Sequence, residues 1–205
     1  MPSDTPPGRR TSRDVERLRD SLPPCPGPVA RPVMVVVSGL PGTGKTHFSQ
    51  SLVDNVPLLV LESDALRKVL FPLPSHTGPE SARLFKACYS LIDALLTEGV
   101  SLLLDATNLV EHHRERLYRI ADRPGVKLVL ISVQAPSAVV HQRLNDRSQG
   151  AGPQGHSTAD WQVYLSMRSS AEPIARDDLV VDTSGDISQF VDEVAREIAG
   201  WMGGA

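Results

Sequence analysis

Aromatic residues are scarce, at 4% of the 205-residue chain, and cysteine is nearly absent, with only Cys25 and Cys88. Two thiols so placed cannot frame a disulfide-stapled secreted domain, and they fit a reduced, cytoplasmic chain. No stretch approaches the roughly 18 continuous apolar residues of a membrane span, and the N-terminus lacks the apolar core of a secretory signal, so no membrane partner is expected. Neither sign of charge is in large excess. A net charge of −3 and a pI near 6.1 supply no overall attraction to polyanions, so any nucleic-acid contact has to come from a local patch. Metal-site spacing is missing too. His112 and His113 are adjacent and diverge on a helix, and no zinc-type histidine pair or G-x-S-x-G elbow occurs. His113 falls on an apolar stripe with Leu109, Leu117 and Ile120, which places it in the core.

What is present, from Val33 onward, is a series of apolar runs separated by helical periods. A parallel sheet buried on both faces, with crossover helices, has this pattern. Strands are expected at 33–38, 58–62, 100–105, 127–133 and 178–182, with helices at 44–54, 64–70, 80–98, 109–122, 136–146, 158–171 and 186–201. Leu84, Cys88, Leu91 and Leu95 recur at three and four residues, which makes Cys88 a core thiol rather than a nucleophile. Residues 1–32, rich in Pro, Arg, Ser and Asp, bury too little apolar surface to fold alone and read as a flexible leader. Within it, Val15, Leu18 and Leu22 allow a turn or two of amphipathic helix. The expectation is a three-layer α/β domain over 33–205 with a five-stranded parallel sheet.

Gly39-Leu40-Pro41-Gly42-Thr43-Gly44-Lys45-Thr46 satisfies G-x-x-x-x-G-K-[ST] and stands between an apolar strand and a helix, the setting in which the motif binds phosphate. Its glycines let successive amides and the first turn of the helix, Lys45 to His47, converge on a nucleotide's phosphates. Lys45 then reaches the terminal phosphates, and Thr46 offers its hydroxyl to Mg²⁺. The glycine spacing does not fit the dinucleotide fingerprint G-x-G-x-x-G, which excludes a Rossmann dehydrogenase.

Asp105 ends the third strand and can serve as the carboxylate beside Mg²⁺. Its neighbour is Ala106, where many hydrolytic ATPases carry a water-orienting glutamate, so transfer to a hydroxyl is favoured over hydrolysis. No N-K-x-D guanine signature occurs. Glu62-Ser-Asp64-Ala-Leu-Arg67 follows the second strand, with Asp64 and Arg67 on one side of a helical turn. There the carboxylate could accept the proton of an attacking hydroxyl and the guanidinium could hold an acceptor anion. Arg143 and Arg147 also share a helix face, beside the glycine-rich Gly150–Gly155. They read as a small lid, about 143–157, that brings positive charge over the triphosphate.

Together, Ser-Gly-Leu-Pro-Gly-Thr-Gly-Lys-Thr, Glu-Ser-Asp-Ala-Leu-Arg-Lys, Leu-Asp-Ala-Thr-Asn-Leu and Arg-Leu-x-x-Arg resemble the P-loop kinases of the AAA-type ATPase domain 33 family. The same order is similar to the kinase domain of bacteriophage polynucleotide 5′-kinase and, more distantly, to zeta toxins and chloramphenicol phosphotransferase. The resemblance implies a nucleoside-monophosphate-kinase-like P-loop fold that uses ATP and Mg²⁺. Position by position, it implies phosphate binding by Lys45 and Thr46, acceptor activation by Asp64, and an acceptor phosphate on Arg67. Asp105 and Asn108, with Arg114 downstream, would order the metal or acceptor side; Arg143 would act from the lid. The nucleotide base would lie near Thr183–Ile187. The acceptor-side segment Phe71–Pro79 carries no Lys or Arg, which places a small or nucleoside-like acceptor ahead of a polynucleotide. Phosphorylation of polynucleotide 5′-hydroxyls and a non-catalytic nucleotide switch are the alternatives.

Overall fold

The computed structural model describes residues 7–149 and 159–203. Among these, five strands form one sheet: β1 (Val33–Ser38), β2 (Leu59–Glu62), β3 (Leu102–Asp105), β4 (Lys127–Gln134) and β5 (Leu179–Asp182). Their order is β2-β3-β1-β4-β5, and every pairing is parallel. The described helices are α1 (Pro7–Asp20), α2 (Lys45–Val53), α3 (Ser63–Leu70), α4 (Gly78–Thr97), α5 (Glu111–Ala121), α6 (Ser137–Ser148), α7 (Trp161–Ser169) and α8 (Ser188–Gly203). The expected strands and helices are all present, with ends that differ by a few residues. No helix among the described residues is long and apolar enough to cross a membrane.

The central strand shows why this sequence makes three layers. β1 is buried at every position, and its side chains alternate between faces. Met34 and Val36 pack with Leu61, Leu104 and the α4 residues Leu84, Cys88 and Leu91. Val33, Val35 and Val37 pack on the other face with Phe48 and Leu52 of α2 and Val191, Val194 and Ile198 of α8. Each large side chain so buried contributes about 1.5–3 kcal/mol, and neither face could be left open.

The leader departs from its expected form. Residues 7–20 are a helix docked on α4 and α3, with Leu18 fully buried and Asp14 3% exposed. Asp14 accepts two hydrogen bonds from Arg83, both 2.7 Å. Arg17 donates to the Val69 carbonyl, and Arg19 pairs with Glu98. The apolar residues Val15, Leu18 and Leu22 are too few to make a core, but they suffice to seat a helix on one that exists. Residues 1–6 of that leader lie outside the described residues, as do Gly150–Gly155 and the remainder of the expected lid through 157. A second departure concerns α5: His113 is exposed and Arg114 takes the buried position. The guanidinium is tolerated there because main-chain carbonyls surround it.

Candidate active site

The phosphate loop is fixed from three sides. Ser38 donates its hydroxyl to the Thr107 and Asn108 carbonyls at 3.0 Å, and the Gly39 amide donates to Thr107, tying the loop to the end of β3. On the other flank a Cβ on Gly39 would stand 2.4 Å from the Val133 carbonyl oxygen of β4, so no larger residue fits. Gly44 has φ of +95°, and a Cβ there would meet Thr183 Oγ1 at 2.8 Å. Thr183, just past β5, donates its hydroxyl to the Thr43 carbonyl at 2.5 Å and so closes the third side.

Inside this frame the ionisable groups converge. Lys45 donates to the Leu40 carbonyl at 3.0 Å. Burial lowers its pKa, opposed by the charges of Asp105 and Asp64. Thr46 donates its hydroxyl to Asp105 Oδ2 at 3.1 Å. Burial pushes the Asp105 carboxyl up, against the pull of Lys45 and of the Thr46 hydrogen bond. Asp64 is half-buried in the first turn of α3, at the C-terminal end of β2, and its charge acts on both Lys45 and Asp105. Lys45, Thr46, Asp64 and Asp105 thus all stand at the C-terminal edge of the sheet. His47 is exposed one residue further along α2.

The arginines divide. Arg143 donates to Thr183 Oγ1 at 2.9 Å and to the Thr183 carbonyl at 2.6 Å, which holds its guanidinium against the flank of the loop beside Gly42. Arg147, one turn on, donates to the Ala159 carbonyl, and its charge acts on Lys45. Arg67 is 6% exposed and paired with Glu80 at 2.7 Å. Arg114 is 1% exposed and engaged by Glu111 and by the carbonyls of Asn108, Glu172 and Pro173. It clamps the end of β3 to the 172–173 segment. Asn108, at φ +46°, donates its amide to the Val37 carbonyl and shapes the turn after β3.

Two contributors escaped the sequence reading. Thr183 was expected only as part of a base-binding loop, yet it holds Thr43 and Arg143 together. Glu80 accepts hydrogen bonds from Arg67, from the Ser75 amide and hydroxyl, and from the His76 amide, organising the segment between α3 and α4. A sequence signal for Glu80 did exist: Thr77-Gly-Pro-Glu80 has the spacing of a helix-capping box.

Mg²⁺ fits the donors present. Among the described residues no cluster of three or more His, Cys, Asp or Glu forms a metal cage. The Thr46 hydroxyl and Asp105 carboxylate are the partial set that Mg²⁺ takes when phosphates and water supply the rest.

A parallel five-stranded sheet with a phosphate loop after its central strand and a carboxylate ending the adjacent one defines a P-loop kinase-like α/β protein. The chain belongs to the AAA_33 family (AAA domain), which it matches over residues 34–174. It is 27% identical over 122 residues to the L-seryl-tRNA(Sec) kinase of Methanococcus maripaludis, an alignment covering 57% of this chain and 47% of that protein. The chain thus spans about half the length of this curated relative. Among solved structures, a protein of Chloroflexus aurantiacus proposed to be a kinase is 27% identical, covering 81% of this chain and 98% of that one, with a TM-score of 0.62. The fold is shared by the Mycobacterium tuberculosis APS kinase CysC, solved with AMPPNP and APS (18% identity, 83% and 98% covered, TM-score 0.59). It is also shared by Chaetomium thermophilum Kti12 with ADP-AlF3 (17%, 82% and 98%, 0.65).

Proposed function

We propose that the chain is an ATP-dependent phosphotransferase that moves the γ-phosphoryl group of MgATP to a hydroxyl of a small-molecule or nucleoside-like acceptor. The observation that carries this reading is the convergence of Lys45, Thr46, Asp64 and Asp105 around one glycine-rich loop. The loop backbone and the first turn of α2 bind the terminal phosphates. Lys45 exchanges its contact with the Leu40 carbonyl for phosphate oxygens. Thr46 and Asp105 would hold Mg²⁺, which when bound would offset the charge of the phosphates.

Asp64 takes the proton of the acceptor hydroxyl as its oxygen bonds to the γ-phosphorus, while the bond from that phosphorus to the departing ADP oxygen breaks. Arg143 and Arg147 on α6 offset charge that spreads over the phosphoryl oxygens. Ala106 beside Asp105 supplies no carboxylate to orient a water, which supports an alcohol as the acceptor. In Lys45→Ala, transfer from γ-labelled ATP to a panel of sugars, nucleosides and 5′-hydroxyl oligonucleotides is expected to disappear with the circular dichroism spectrum unchanged. Undiminished transfer in that variant would overturn the reading.

A further inference from the structure

Arg67, one helical turn from Asp64, is paired with Glu80, and main-chain carbonyls surround Arg114. Positive charge gathers instead a short way along the same edge. A cleft of about 620 Å³ opens between α1, the 71–79 segment and the first turns of α4, lined by Arg10, Phe71, Ser75, Glu80, Arg83 and Lys86, among others. Its two carboxylates are already engaged, Asp14 by Arg83 and Glu80 by Arg67 and the Ser75 and His76 amides. Arg10 and Lys86 are therefore positive charge that these carboxylates do not neutralise. Phe71 forms an aromatic wall, with Arg83 at 5.1 Å from its ring centre. A second hollow of about 520 Å³ shares Thr11 and Lys86, adds the carboxylate of Glu16, and extends the groove along α1 and α4.

The position of the cleft follows from topology. α4 leads from the acceptor-side segment back toward the start of β3, so its first turn stands at the catalytic edge. α1 lies alongside, with Asp14 at Arg83 and Arg19 at Glu98, so Arg10 falls toward that edge too. Glu80 joins the two regions: it lines the cleft and touches Arg67, which is one helical turn from Asp64. Segment 71–79 carries no Lys or Arg of its own, and the N-terminal helix brings Arg10 beside it from outside the residues matched by the family.

We infer that this cleft is a distal acceptor subsite that binds a phosphate group carried by the acceptor molecule, with Arg10 and Lys86 as its positive contacts. The inference rests on the phosphotransferase reading, which makes Asp64 the site of the reacting hydroxyl. A cleft of this volume takes a nucleotide-sized ligand, and an aromatic wall beside cations that Asp14 and Glu80 do not neutralise suits a ring bearing a phosphate. The phosphate could belong to a phosphorylated sugar or to a strand.

The test is calorimetric titration of the full chain saturated with MgADP, so that the phosphate loop is filled, with ribose 5-phosphate and separately with a short 5′-hydroxyl oligonucleotide. ADP binding reports on the phosphate loop, and probe binding reports on the cleft, so the two readings fail separately. Arg10→Glu/Lys86→Glu is expected to weaken whichever probe binds by about tenfold or more, the order expected when charge-assisted contacts are lost. Arg119→Glu, on the exposed face of α5, is expected to leave that affinity unchanged. A preference for ribose 5-phosphate identifies a small acceptor, and a preference for the oligonucleotide identifies a strand. Binding of neither probe to the wild type, or equal affinity in the double variant, overturns the inference while leaving the ADP result standing.

Discussion

Replacing Arg114 with alanine should destabilise the fold while leaving ligand affinity nearly intact. The side chain is 1% exposed, and its donors reach the Glu111 carboxylate at 2.5 Å, the Asn108 carbonyl at 2.5 Å, the Glu172 carbonyl at 2.9 Å and the Pro173 carbonyl. Truncation strands these acceptors, and breaking a buried ion pair from one side costs about 3–5 kcal/mol. Glu111 retains 20% of its side-chain exposure and can rehydrate, which favours the lower part of that range, about 3–4 kcal/mol. That is a large share of a total of about 5–15 kcal/mol. For a chain of this size it corresponds to a fall in Tm of about 6–16 °C. Thermal melts followed by circular dichroism, together with MgADP titration below the transition, measure both quantities. Arg114→Lys should recover little, because an ammonium lacks the planar fork that serves four acceptors at once. A Tm within about 2 °C of wild type, accompanied by a large rise in acceptor KM, would refute the structural role and return Arg114 to the substrate.

Two further expectations come from groups away from the reacting atoms. Cys88 is fully buried and its thiol is pushed up to about 12 by burial, whereas Cys25 is exposed; mass spectrometry after iodoacetamide should find one modified cysteine in the native protein and two after denaturation, and native labelling of Cys88 would contradict the packing. Glu80 is held at about 2, because burial, which raises it, is outweighed by the Ser75, Arg67 and His76 hydrogen bonds. A depressed carboxyl contributes its stability in full above its ordinary value of 4.5 and loses it as pH falls toward 2, so the difference in urea midpoint between wild type and Glu80→Gln should shrink through that window, and a constant difference would show that the pairing is unimportant.

How much of this was legible in the sequence depended on whether a feature is local. β1 is apolar on both faces because it is central, and the phosphate loop is defined by a contiguous run, so both could be read directly. Asp64 and Asp105 were legible for a related reason: each stands at a strand end, and a parallel sheet gathers all such ends on one edge. The arginines were not legible in this way. Nothing in the residues around Arg67 or Arg114 says that one meets Glu80, 13 residues away, and the other the carbonyls at 172–173. The α1 helix was legible only as a turn or two, for the opposite reason to the strands. Its few apolar residues form no core of their own, and the surface that orders it belongs to α4 and α3.

The central claim is that Asp64 faces the phosphate loop as the base for an attacking hydroxyl, and Asp64→Asn tests it most directly. Label transfer from γ-labelled ATP to the acceptor panel should fall by about 10²–10⁴-fold, the usual contribution of a positioned base, with MgATP affinity essentially unchanged. Transfer by the variant at the wild-type rate would contradict the account.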